Sequence, residues 1–226
     1  MATEAEAVIR DRRWAQWAPL SGLVFVVLFI VGVLLYKTPD HDIPGFRIVS
    51  FYDDKGNRAA IIISGYLLVL SGVFFFWFLS SLRERLLTVE GPPGRLTSIV
   101  HASGIVFIAM LMASAACFSF VAGEITFADT GVNPEIARVL PDMGWSFLLA
   151  GGAFSAIAMI DAASVLIIRT GVMPRWVGWV GFLVALILLV SFLVYPMAAL
   201  LVWVGLVSLV LLGVPMPGGS TGVSAR

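Results

Sequence analysis

The feature that most constrains this chain is a set of apolar runs, each about 18 residues or longer, that recur from Ala18 to Val214 with short polar breaks. A helix needs about 20 such residues to cross a hydrocarbon core of about 30 Å. A soluble domain of this length alternates apolar and polar residues and carries about twice the 12% charged content found here. The mean hydropathy of +1.00 points the same way. A β-barrel is excluded, because its strands are about 10 residues of alternating pattern. The expected fold is all-α, a polytopic transmembrane bundle of six helices.

The runs place spans near 18–36, 59–82, 98–122, 145–168, 176–194 and 197–214. Residues 1–17 form a polar N-terminal segment, 18–214 the membrane domain and 215–226 a Gly-, Pro- and Ser-rich tail expected to be disordered. Only Tyr195-Pro196 divides the last two spans. One helix over 176–214 would be about 58 Å long, and Pro196 lacks an N–H donor, so a tight hairpin is expected there. Arg10, Arg12 and Arg13 precede the first run as in a signal peptide, but no small-residue cleavage site follows Tyr36, so the first span is expected to stay.

With the N-terminus inside, nine of the fourteen Lys and Arg fall on the inner side. Lys37, Arg47, Lys55, Arg58 and Arg138 fall outside, so both termini are expected in the cytoplasm of a cell-membrane protein. Trp14, Trp17, Trp176 and Trp179 would form the inner aromatic belt, with Tyr36, Trp145 and Tyr195 outside. Zero net charge gives no reason to expect nucleic acid as a partner. A single cysteine, Cys117, excludes an internal disulfide.

Two stretches, "GYLLVLSGVFFFWFLSSLRERL" at 65–86 and "RTGVMPRWVGWVGF" at 169–182, resemble a family of small bacterial integral membrane proteins of about six helices, a domain of unknown function. The shared features are a Ser-Leu-Arg-x-x-Leu exit from the second helix and a Pro-x-Trp-x-Gly-Trp entry to the fifth. The similarity extends from about Gly56 to Leu212. It implies membrane placement and brings no activity with it; where this chain has Asp161, the family usually has a small apolar residue.

Asp161 is the residue most in need of explanation, a carboxylate inside "SAIAMIDAASVLI". Counted from Arg169 it lies eight residues, about 12 Å, inside the membrane. An aspartate at helix centre costs about 2.5–3.5 kcal/mol, so it is expected to face protein or water rather than lipid. A stripe of Gly151, Ser155, Ala158 and Ala162 would admit a neighbouring helix, with Asp161 at its edge. His101, about 6 Å deep, is its expected partner, and Ser103, Ser208 and Ser21 share that inner layer as a candidate polar site. Either the carboxyl is a hydrogen-bonded structural group, the favoured reading, or it is a ligand or proton site.

Other polar motifs carry less. Asp40-His41-Asp42 offers three adjacent ligands, which rarely close a cation's coordination shell. "YDDKGNR" at 52–58 has the residues of a turn and lacks the terminal Glu of a calcium loop. Ile43 to Tyr52 is amphipathic enough to rest on the outer surface or pack over the helices, and Glu124 is expected to cap the bundle at the water boundary. Zinc, P-loop and dinucleotide motifs are missing, and two histidines on different sides cannot supply four-histidine haem ligation. Ser103 and His101 stand about 200° apart on one helix, which is no nucleophile–base pair.

The expected role is therefore a non-catalytic binding or structural subunit, without metal or cofactor. Its expected partners are the lipid bilayer, another membrane subunit or a small apolar ligand. The alternatives are a small carrier or transporter subunit using the Asp161 layer, and a lipid-modifying enzyme with a second polar residue beside it.

Overall fold

A computed structural model describes residues 20–39, 43–128, 131, 133–189 and 197–213. The expected hairpin at Tyr195-Pro196, the two terminal segments and Asp40-His41-Asp42 lie outside the described residues. The chain is all-α, with seven helices among those residues. They are α1 (Leu20–Leu35), α2 (Gly45–Asp53), α3 (Lys55–Glu90), α4 (Arg95–Phe127), α5 (Pro134–Thr170), α6 (Arg175–Leu189) and α7 (Met197–Gly213). Helices α3, α4 and α5 are long and apolar enough to cross a membrane, and α1, α6 and α7 are shorter apolar helices.

The long helices overrun the apolar windows that announced them. The "YDDKGNR" stretch is not a free-standing turn: Asp54 is the N-cap of α3, accepting a hydrogen bond from the Asn57 N–H at 2.9 Å. Lys55, Gly56 and Asn57 form the first helical turn, because the cap satisfies an end that propensity alone would fray. At the other end α3 runs through Ser81-Leu82-Arg83 to Glu90, whose carboxylate caps the next helix. It accepts from the Leu96 and Thr97 N–H groups, both at 2.8 Å, and from Thr97 Oγ1 at 2.6 Å. Gly94, at the N-cap of α4, has no side chain for that task.

Helix α5 starts eleven residues before the expected span. Asn133 accepts from the Glu135 and Ile136 N–H groups, and Pro134 occupies the first turn, where its missing donor costs nothing. Pro141 then removes an N–H from the helix interior, and the backbone passes through a π-helical stretch at Phe147–Gly152 before α-helical turns resume at Ala153.

The six apolar helices close a ring. Each packs on the next in chain order, α1 on α3, α3 on α4, α4 on α5, α5 on α6 and α6 on α7, and α7 returns to α1. Phe25, Phe75 and Phe107, from α1, α3 and α4, are fully buried with ring centroids 4.8 to 6.3 Å apart. Trp203 of α7 is equally buried. The amphipathic α2 packs over the bundle: Ile48 and Tyr52, one turn apart, are buried with Ile61, Val121, Ala122 and Ala137. Arg58 donates to the carbonyls of Tyr52 and Asp53, closing the C-terminal end of α2.

Candidate functional site

The structure distributes the expected polar layer among separate interfaces. Asp161 is half-buried and makes no hydrogen bond among the described residues. The preceding residue, Ile160, is fully buried and packs toward Gly181 of α6. One residue onward is a rotation of about 100°, which turns Asp161 to the rim of α5. There it shares an outward strip with Phe154, 52% exposed, Ala158, exposed, and Val165, half-buried. Asp161 was expected to point into the bundle; it is half-buried at the rim, between the buried Ile160 and Ala162. Gly152, Ala153, Ala156 and Ala163 of α5 are buried; of the expected stripe Ala162 is buried, Gly151 and Ser155 are half-buried and Ala158 is exposed.

His101 belongs to another interface. It continues the stripe of Gly104, which packs on Leu79, and Ile108, which packs on Gly72, so it lies on the α3 side of α4. Its Nδ1 is buried without a partner among the described residues. Ser103 is half-buried and stands one turn from Phe107 and two from Met110, which packs against Gly151 of α5. Ser208 is fully buried in α7, its Oγ pressed on Gly22 of α1 beside the buried Ser21. No hydrogen bond joins any two of Asp161, His101, Ser103 and Ser208.

A polar junction that the sequence reading missed lies deeper. Gly181 of α6 is a notch in which a Cβ would collide with Ser164 Oγ of α5 and stand 2.9 Å from Trp203 Nε1 of α7. Both groups are fully buried and lack a hydrogen-bond partner among the described residues. Several hydroxyls bond back to their own helix, Ser71 to Leu68, Ser119 to Ala115 and Thr170 to Leu166, each at 2.7 Å, and Ser64 donates across to the Gly32 carbonyl of α1 at 2.7 Å. Ser164 and Ser208 instead spend their hydroxyls filling glycine notches on a neighbouring helix. The "WVGWVGF" spacing of Gly178 and Gly181 was the available signal, since small residues three apart mark a close helix approach.

The ends of the ring hold the charged groups. Arg85 is buried at the end of α3 and donates to the Leu211 carbonyl in the last turn of α7 at 3.3 Å, a cation at a helix C-terminus. Trp176 and Trp179 face outward, while Val177 and Gly178 between them are buried. At the α2 end a groove of about 760 Å³ is bordered by Gly45, Asn133, Glu135 and Arg138. Two of its polar groups are committed, Asn133 to the cap of α5 and Arg138 to the Ile43 carbonyl. Glu124 is exposed and lines a smaller hollow of about 150 Å³ nearby. Among the described residues, no three His, Cys, Asp or Glu side chains converge on a common point. The chain matches no protein-family model, no curated protein and no solved structure.

Proposed function

We propose that this chain is a multi-pass integral protein of a bacterial cell membrane, crossing it six times with both termini in the cytoplasm, and that it serves as a non-catalytic binding or structural subunit. The observation that carries the reading is the continuous apolar core shared by the six helices. Phe25, Phe75, Phe107 and Trp203 are fully buried in that core, where a carrier or channel would keep a polar or open path. The carrier alternative needs Asp161 and His101 to share a cavity, and they lie on different helix faces. A lipid-modifying enzyme needs a second polar group within about 3 Å of the carboxylate, and Asp161 has none among the described residues. Five arginines among the described residues at the α3–α4 and α5–α6 loop end support that end as cytoplasmic: Arg83, Arg85, Arg95, Arg169 and Arg175. The resemblance to small bacterial six-helix membrane proteins agrees with this assignment.

The test is threading. In a Cys117→Ala background, Ser50→Cys is expected to react with a membrane-impermeant thiol reagent in intact cells and Thr88→Cys to be protected. Labelling of Thr88→Cys with protection of Ser50→Cys would invert the orientation, and equal labelling of both in intact cells would refute the six-crossing thread.

A further inference from the structure

We propose that the outward strip of α5 around Asp161 docks a membrane helix of a different protein, one that carries a lysine or arginine near the middle of its span. The inference rests on the membrane reading above. Phe154, Ala158, Asp161 and Val165 are spaced by four, three and four residues. That is the seam along which two helices pack at a crossing angle of about 20°. Ala158 is exposed and carries only a methyl, so a neighbouring backbone can come close beside the carboxylate. Among the described residues Phe154 and Ala158 stay exposed and Asp161 has no hydrogen-bond partner. At about 12 Å inside the Arg169 boundary it faces acyl chains, where a charged aspartate is expelled unless a cation or strong donor meets it.

Charge complementarity selects the occupant. No lysine or arginine of this chain falls in 59–82, 98–122, 145–168, 176–189 or 197–213. Two copies inserted by the same charge asymmetry lie parallel, so the second copy's Arg169 stays about 12 Å from the level of Asp161. Headgroup amines stand at the same remove. A basic residue within the span of another protein is the group that reaches this depth, and intramembrane charges ordinarily pair in this way.

The experiment uses the full chain in phosphatidylcholine vesicles, fluorescently labelled on Thr88→Cys in the Cys117→Ala background. The probe is a single-span polyleucine peptide with one central lysine, about 15 Å from either surface of the hydrocarbon core and so near the level of Asp161 whichever way it inserts. The lysine peptide is expected to bind at least ten-fold tighter than its leucine counterpart, and Asp161→Asn to abolish that preference. Ala158→Leu keeps the carboxylate but fills the notch, and it too is expected to lose the peptide. Equal binding of the two peptides, or a lysine preference that survives Asp161→Asn or Ala158→Leu, overturns the proposal. So does efficient disulfide dimerisation through Ala158→Cys, which would put a second copy on the strip. Thiol labelling of unmodified Ser50→Cys and Thr88→Cys chains in intact cells separates the two failures. A wrong labelling pattern rejects the membrane reading, whereas the expected pattern without a lysine preference rejects the docking site alone.

Discussion

The two halves of the ring hold together by different means. In the half made by α1, α3 and α4, large rings interlock across the three helices, with Ser119 and Leu79 seated on Gly65 and Gly104 beside them. In the half made by α5, α6 and α7, the contacts are notches. Ser164 fills Gly181, Ile168 packs on Gly178, and Ser208 reaches across to Gly22 of α1. Both halves are apolar, so composition does not distinguish them. Between helices already in lipid, burying one more leucine gains little, and shape complementarity decides the packing. Aromatic interlock tolerates small displacements, whereas a hydroxyl in a glycine notch fits one register only.

The largest expected effect comes from emptying the aromatic half. Phe75→Ala removes a fully buried ring that meets both Phe25 and Phe107. Core Phe→Ala changes cost about 3–5 kcal/mol, so a large fall in melting temperature in detergent is expected. A change comparable to that of a surface substitution would dissolve the contrast between the halves.

Overfilling the notched half comes next. Gly181→Ala puts a methyl against Ser164 Oγ and Trp203 Nε1, both buried, and overpacking of this kind costs about 1–3 kcal/mol. Ser164→Gly in the same chain removes the obstructing hydroxyl and is expected to return most of the loss, read as non-additivity in a double-mutant cycle. Additive losses would show that the notch is not where the helices lock.

The smallest expected effect is outside both halves, at the cap of α3. Hydrogen bonds from the Asn57 and Gly56 N–H groups hold the Asp54 carboxyl below its usual range. A carboxyl depressed in the folded state contributes stability that is present above its unfolded value near pH 3.9 and is lost as pH falls through the folded one. Asp54→Ala is therefore expected to lower the melting temperature slightly at pH 7 and to differ less from the parent as the pH drops below 4. A difference that grows on acidification would contradict the cap.

Much of the fold was legible because helix existence depends on long apolar runs, and those are written plainly. The helix ends were less so. Asp54 and Asn133 extend α3 and α5 past their apolar windows through caps set in polar sequence, and Glu90 caps α4 from six residues away, beyond the reach of a local capping rule. Which face points where was the real obstacle. In a soluble helix the polar side announces the solvent, but a helix apolar all round carries no such marker. The small residues of α5 form two candidate stripes about 100° apart, Gly151-Ser155-Ala158-Ala162 and Gly152-Ala153-Ala156-Ala163. The sequence reading took the first. The second is buried together with Ala162 of the first, because α5 must pack against α4 and α6 at once, and Asp161 is left half-buried at the rim.

The return of α7 to α1 sets a timetable for assembly. Helices α1, α3 and α4 leave the ribosome early and have their aromatic partners at hand, whereas Gly22 must wait for Ser208, 186 positions later. The Arg85 side chain waits 126 positions for the Leu211 carbonyl. Until α7 arrives, the nascent bundle is an open crescent, with one flank of α1 and the free side of α6 presented to lipid and to whatever factor attends insertion. A chain stopped before Met197 would remain that crescent, its earliest helix unclasped.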